Sequence, residues 1–327
     1  MKQYVCGRSN LALTIQVPYD CPNTCPFCPA KIKYQKEKPN IETVVYNMYD
    51  ALYAHKLPIT DVVFSGGEPT ARIDKLALLI KGVSDNKNVY INTTLLASTF
   101  DDFYTLVKTE KKIKGVNISR HSTTYKEDCE LFHDIATDEQ IEKLALIIPT
   151  RINVVLYKDI DIKAIVNRWE TREVIDVSFR EDFRKIKTEN DLRRPNDFTD
   201  KLASLYRKCY STGCNVCNTD VYKKGVLGIR YHRGFERTLL NRGNYYEYND
   251  IIIEPNGEIM LDWDYSEENK LHYNRMVLLN NLESKPDNLE SKPEFYNSSY
   301  GGYCGRSTNY CGGYTSNAYH SCGERHC

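Results

Sequence analysis

Tryptophan occurs only twice in 327 residues and methionine four times, and neither charge sign is in excess, with Lys plus Arg and Asp plus Glu at 44 each. That balance removes the global field that bulk nucleic acid or an acidic membrane surface would require, and leaves only local basic patches. No apolar run approaches the roughly 18 residues of a membrane span, and Met1-Lys-Gln-Tyr-Val-Cys6 lacks a signal-peptide core. The expectation is a soluble, cytoplasmic protein.

Cysteine and tyrosine are plentiful, at 12 and 25 residues against 10 Phe. A chain of this length with periodic core segments does not need disulfides, and the cysteines gather at 21–28, 209–217 and 304–327. Such clustering reads as metal ligation and reduced thiols. The tyrosines read as an aromatic-rich core and surface.

Between residues 11 and 180, strand-like and helix-like patterns alternate. Leu11–Val17 predicts a strand, then Ile41, Val44, Val45, Met48 and Leu52 share one face of a helix. Strands at Asp61–Ser65, Asn88–Leu95, Gly115–Ser119, Arg151–Tyr157 and Glu173–Phe179 alternate with helical stripes at Leu76–Val83, Phe103–Val107, Ile141–Ala145 and Ile162–Trp169. The fold class is α/β, a partial (β/α)6 TIM-like barrel over residues 1–182, with functional residues just after the strands. On the sixth strand Asp176, Ser178 and Arg180 alternate with Val177 and Phe179; if that polar face lines the barrel, Arg180 stands where an anionic substrate could bind.

Past Phe179 the rhythm breaks. Residues 183–280 read as a smaller cysteine-bearing extension, partly helical over Asp182–Tyr206, with strand pairs at Val226–Leu240 and Asp250–Asp262, the latter turning at Pro255-Asn-Gly-Glu258. Asn-Leu-Glu-Ser-Lys-Pro occurs at 281–286 and again at 288–293, which makes 281–293 a linker. The tail, 294–327, is rich in Tyr, Gly and Cys and has too few aliphatic residues for a core.

Two short motifs carry the chemistry. Cys21-Pro-Asn-Thr-Cys25-Pro-Phe-Cys28 follows the first strand, and three thiolates can hold three corners of a four-iron cluster while leaving one iron open. A zinc site would want a fourth ligand nearer than His55, and a Cys25-x-x-Cys28 redox pair leaves Cys21 unexplained. Ser65-Gly66-Gly67-Glu68-Pro69-Thr70 follows the second strand, where paired glycines let the main chain approach a ligand; it also reads as an ordinary βα turn.

Together, the C-x3-C-x2-C loop and the GGEP turn at successive strand ends resemble the radical S-adenosylmethionine (radical SAM) enzyme superfamily, over roughly residues 8–182. The resemblance implies a [4Fe-4S] cluster on Cys21, Cys25 and Cys28, with S-adenosylmethionine chelating the open iron. It implies adenine contact by Phe27, and ammonium binding by the backbone and carboxylate of Gly66, Gly67 and Glu68. Asn92 matches the family's third-strand Asn, with Thr93 where the family has Gly. Ser119 and Arg120, at the end of the fourth strand, fall where a polar residue faces the ribose or the methionine carboxylate; for Arg120 the pairing would be guanidinium to carboxylate, and its other reading is a surface salt bridge. His121 is supporting or simply exposed.

The implied reaction is reductive cleavage of S-adenosylmethionine to a 5′-deoxyadenosyl radical that abstracts a substrate hydrogen, with flavodoxin or ferredoxin as electron donor. The substrate is a peptide or protein, or else a small metabolite or nucleotide; the 250–260 hairpin, which resembles one in peptide-modifying radical enzymes, leans toward peptide. A further expectation is that the Tyr/Cys-rich tail is itself a substrate, a modified appendage on the linker. Cys209, Cys214 and Cys217 are candidates for a second iron-sulfur cluster or zinc, completed from elsewhere, for example by Cys304, Cys311, Cys322 or Cys327. The reading of another class is a non-enzymatic zinc or iron-sulfur module that binds a partner.

Overall fold

The computed structural model describes residues 3–8, 10–28, 40–54, 57–235, 237–263 and 269–270. The linker at 281–293, the tail at 294–327 and its four cysteines lie outside the described residues. Strands β1 (Gln3–Cys6) and β2 (Leu11–Val17) come first, then α1 (Ile41–Tyr49), capped by Asn40 accepting from Thr43 N. The alternation continues through β3 (Ile59–Gly66), α2 (Ile73–Lys81), β4 (Asn88–Thr93), α3 (Phe100–Thr109) and β5 (Ile113–Ser119). Two short helices follow, α4 (Tyr125–Leu131) and α5 (Asp138–Ala145), each opened by a reciprocal cap, Thr124 with Glu127 and Thr137 with Gln140. Then come β6 (Thr150–Leu156), α6 (Ile162–Glu170) and β7 (Asp176–Glu181).

Strands β2 to β7 are parallel neighbours in chain order, as the repeated βα pattern requires. The extension adds to both sides of the same sheet. After α7 (Glu189–Arg193) and α8 (Asp197–Leu205), strands β8 (Arg207–Gly213), β9 (Cys217–Lys224) and β10 (Leu227–Gly234) continue it, with β10 parallel to β7. On the far side, after β11 (Leu240–Asn241) and β12 (Tyr245–Tyr248), strand β13 (Ile251–Ile253) pairs parallel to β2 and antiparallel to β14 (Ile259–Met260), whose turn uses Gly257 at φ 90°. Strand β1 pairs instead with β12.

The sheet is curled. In a flat sheet the seven steps from β2 through β3, β4, β5, β6, β7 and β10 to β9 would span roughly 33 Å at ~4.8 Å each. Yet Arg8 Nη2, before β2, lies 3.6 Å from Cys214 Sγ in the β8–β9 turn, and Asn215 Nδ2 donates to Glu247 Oε1 at 2.8 Å.

Alternation along the strands gives the two faces different chemistry. Leu13, Ile15, Phe64, Ile91, Ile118, Val154, Val177, Phe179 and Ile229 belong to the continuous apolar core under the helices. Across the other face runs a polar layer in register: Asn92 opposite Asn117, Asn117 opposite Arg151, Arg151 opposite Asp176, and Asp176 opposite Gly228. Arg151 Nε and Nη2 donate to Asp176 Oδ2 at 3.2 and 2.9 Å, and Arg230 Nε donates to the same oxygen at 2.9 Å. A Cβ at Gly228 would meet Asp176 Oδ1 at 1.9 Å, so only glycine admits that carboxylate.

Candidate active site

The cysteine loop leaves β2 and is tied down at two points. Tyr19 OH donates to Pro69 O at 2.9 Å, in the turn after β3. Buried Asn23, between Cys21 and Cys25, donates from Nδ2 to Thr94 Oγ1 at 3.0 Å, while its Oδ1 accepts from His133 N at 2.8 Å. Cys25 is buried against Phe132 and Ile135, Cys28 is half-buried and Cys21 is exposed; none is in a disulfide.

Although Cys21 is exposed as a residue, the protein atoms crowding its sulfur partly desolvate the thiol and push it up to about 11, helped by the charges of Glu68 and Cys28 and opposed by the Asn23 backbone. It is therefore a protonated thiol at neutral pH until a metal displaces its proton. Among the described residues no three Cys, His, Asp or Glu side chains converge on one ion. Three soft sulfur donors on one loop suit a cluster, whose irons sit at separate corners and keep the thiolates further apart than the ligands of a single ion.

Phe27 presents its ring to His121 and Tyr157, with centroids 4.8 and 4.6 Å away. His121 is buried rather than exposed, and its Nδ1 accepts from Val155 N at 3.1 Å. Burial first, then the Arg120 charge, lowers its pKa to about 3, so the ring is neutral.

Gly66 and Gly67 are half-exposed at the end of β3, with Gly66 at φ 96°. Glu68 is only 1 % exposed, and its carboxylate turns away from them. Oε1 accepts from Thr70 N at 3.0 Å, from Thr70 Oγ1 at 2.8 Å and from Thr93 Oγ1; Oε2 accepts from Thr94 N at 2.7 Å and Thr94 Oγ1 at 2.6 Å. A carboxylate offers about four lone-pair sites, and these five donors occupy them. In this arrangement the carboxylate, expected to bind the methionine ammonium, latches the β3 turn to the end of β4. Thr93, standing where the resemblance expects glycine, is one of the donors. The next residue but one, Leu95, is held at φ 56°, with its N–H bonded to Thr93 Oγ1 at 2.6 Å.

Asn92 and Ser119 are half-buried on the polar face; Asn92 Nδ2 donates to Ser65 Oγ at 3.3 Å and its Oδ1 accepts from Asn117 at 3.2 Å. Arg120 is different. It is fully buried, and its guanidinium donates to the carbonyls of Thr94, Ser119 and Ala136 at 2.7, 2.7 and 2.8 Å. Its burial rules out the surface salt bridge, and the three carbonyls make it a brace between the ends of β4 and β5, with Nε left without a partner among the described residues. Nearby, Asp128 accepts from His121 N and Ser122 N and pairs with Arg168 at 2.6 Å, fixing the loop after β5.

The second cysteine group does not come together as one metal site. Cys214 and Cys217 face each other across the β8–β9 turn with sulfurs 3.1 Å apart. Cys209 is exposed on β8, with roughly 13 Å of extended strand between it and Gly213. Asn23, Tyr19, Thr70, Thr94 and Tyr157 escaped the sequence reading. Only the position of Tyr157, just past a strand end, is a signal that could have found one of them.

Comparison with solved structures finds Streptococcus suis SuiB bound to precursor peptide SuiA, at 22 % identity, covering 60 % of this chain and 46 % of that one, with a TM-score of 0.45. It also finds anSMEcpe with bound AdoMet, at 14 % identity, covering 80 % of this chain and 77 % of that one, with a TM-score of 0.46. The chain spans about half the length of the SuiB chain in that complex. No curated protein matches it. The family model described as Radical SAM superfamily matches residues 15–156, the stretch that holds the cysteine loop, the Gly66-Gly67-Glu68 turn and the ends of β4 and β5. Residues 15–156 of the chain thus match the radical SAM superfamily, and that match takes in every element around the cysteine loop.

Proposed function

We propose that this protein reductively cleaves S-adenosylmethionine at a [4Fe-4S] cluster and directs the resulting radical to a hydrogen of a peptide or protein substrate. The observation that carries the reading is the anchoring of the cysteine loop, by Tyr19 and Asn23, to the turns after β3 and β4 at the rim of a polar-lined, curled sheet. When bound, the cluster supplies the electron that splits the sulfonium C–S bond. Cys21, Cys25 and Cys28 hold it, and electrons come from a flavodoxin or ferredoxin.

The residues around it orient the sulfonium ligand. The half-exposed main chain of Gly66 and Gly67 receives the ammonium, in a turn that Glu68 keeps in shape. Asn92 and Ser119 offer polar atoms to the ribose and carboxylate, and Phe27 lies against the adenine. Buried His121, Phe132 and Ile135 keep water from the radical.

A peptide substrate is favoured by β8, which is exposed along nearly its whole length and pairs with β9 on one side only among the described residues. An extended peptide can add to such an edge as a further strand. A second cluster or zinc at Cys214 and Cys217 would need ligands from outside the described residues.

The test is anaerobic reconstitution with iron and sulfide, then reduction in the presence of S-adenosylmethionine. 5′-Deoxyadenosine is expected from the wild type and is lost in Cys25→Ala. No product from the cluster-loaded wild type, or an equal yield from the variant, overturns the reading; stoichiometric zinc in its place would favour a binding module.

A further inference from the structure

The polar face of the sheet keeps one half-exposed residue near the end of each of six neighbouring strands: Ser65, Asn92, Ser119, Val155, Arg180 and His232, on β3, β4, β5, β6, β7 and β10. Their strand neighbours Phe64, Ile91, Ile118, Val154, Phe179 and Tyr231 are all buried in the core. The inside of the curl is therefore open to solvent along this row. Val155, Arg180 and His232 are consecutive partners in register across β6, β7 and β10.

Positive charge gathers at this end of the row. Burial of the His232 ring first, then the charges of Arg180, Arg8 and Arg151, hold its pKa well below the usual imidazole value against the pull of Cys214. Arg8 faces Asp250 at 3.8 Å, and Arg151 shares Asp176 with Arg230. Arg180 differs from all of these, because among the described residues it forms no ion pair and no hydrogen bond. Of these four guanidiniums, Arg180 is the one with no carboxylate partner among the described residues, and it has solvent access.

A second unpaired group lies beside it. Asn153 is 8 % exposed, and its Oδ1 accepts nothing from the described residues. In register it sits opposite Ser119 and Ser178, between the end of β5 and β7. A buried amide oxygen without a donor costs free energy until a ligand N–H fills it.

We propose that Arg180 and Asn153 form a subsite inside the curl for an acidic residue of the substrate peptide, with Arg180 taking the side-chain carboxylate and Asn153 Oδ1 accepting a backbone N–H. His232, with Nδ1 2.9 Å from Thr219 Oγ1, bounds the pocket on the β10 side. A bidentate guanidinium–carboxylate pair in a partly enclosed site gives direction as well as affinity, so this subsite would select which residue of the peptide faces the radical. The proposal deepens the function proposed above and rests on it for the peptide.

The test uses the full, cluster-loaded chain and ligand-observed NMR titration. Four probes are compared: N-acetyl-glutamate N-methylamide, its glutamine counterpart, glutarate and inorganic phosphate. The glutamate probe should bind about tenfold more tightly than the glutamine probe, the weight of one charge-assisted contact. Arg180→Gln should erase that preference and Arg180→Lys should keep part of it. Asn153→Ala should weaken the glutamate probe and leave glutarate unchanged.

Equal binding of the glutamate and glutamine probes, no binding by either, or an undiminished preference in Arg180→Gln overturns the subsite. Glutarate or phosphate binding as tightly as the glutamate probe overturns the peptide assignment. S-Adenosylmethionine affinity should be the same in Arg180→Gln and wild type; a tenfold loss would hand Arg180 to the cofactor and overturn the proposal. The two readings fail separately: a wild type that makes no 5′-deoxyadenosine yet discriminates the probes sinks the chemistry, and the reverse sinks the subsite.

Discussion

Replacing Glu68 with Gln preserves size and shape but removes the charge and turns one acceptor into a donor. The carboxylate is buried and takes five donors, two of them the backbone N–H groups of Thr70 and Thr94. Hydroxyls can rotate away from an intruding amide; a backbone N–H cannot. Whichever way the Gln amide is turned, its nitrogen meets one of those two N–H groups and leaves it buried without a partner, at a cost of about 1–3 kcal/mol.

The remaining contacts lose their charge assistance, at roughly 1 kcal/mol in sum, so Glu68→Gln should destabilise the fold by about 2–4 kcal/mol. The assay is urea unfolding of the cluster-free protein at pH 7, followed by far-UV circular dichroism, with the slope checked for constancy. Using the cluster-free form separates a structural latch from a ligand contact. A change under about 0.5 kcal/mol, with S-adenosylmethionine affinity collapsing in the loaded protein, would refute the latch and return Glu68 to the ammonium.

His121 supplies a pH prediction. Its pKa falls from 6.5 to about 3 on folding, so the unfolded chain binds more protons, and the stability is full above pH 6.5 and lost as pH falls toward 3. At pH 5 this group alone should cost about 2 kcal/mol relative to pH 7. His121→Asn, which keeps an acceptor for Val155 N, should flatten the profile of unfolding midpoint between pH 5 and 7; an unchanged slope would count against the buried neutral ring. The Cys214–Cys217 pair, with sulfurs 3.1 Å apart, should close to a disulfide under mild oxidant while Cys209 remains open to alkylation. Peptide mapping that finds Cys214 and Cys217 both still alkylated after oxidation would dismiss the pair.

The βα rhythm was readable because each repeat announces itself locally: an apolar strand such as Leu11–Val17, then a stripe such as Leu76, Leu79 and Ile80. The cysteine loop and glycine turn were readable as chemistry for the same reason, their residues being neighbours in the chain. What the sequence hid is pairing at a distance. Nothing in Ile251–Ile253 says that it will lie beside Leu13–Ile15, or in Gly228–His232 that it will lie beside Asp176–Arg180. The partners of polar residues were hidden for a related reason: that Arg120 donates to three carbonyls and Glu68 accepts from three threonines depends on the rotamer and the neighbouring loop. Helix α4, with its capping box at Thr124 and Glu127, carried a local signal that went unread.

The clasp across the opening of the curl, Arg8 before β2 against Cys214 and Glu247 of β12 against Asn215, bears on how a long molecule gets in. A ring of strands closed all the way round by hydrogen bonds can be entered only through its rims, so a polymer would have to be threaded. Among the described residues the strand-to-strand ladder ends at β14 on one side and β8 on the other, and side chains bridge the gap. The wall is a cuff with a buttoned slit. Under the function proposed above, a peptide would be laid in from the side against the inner row of Ser65 to His232, and a mid-chain residue would reach the interior as readily as a terminus.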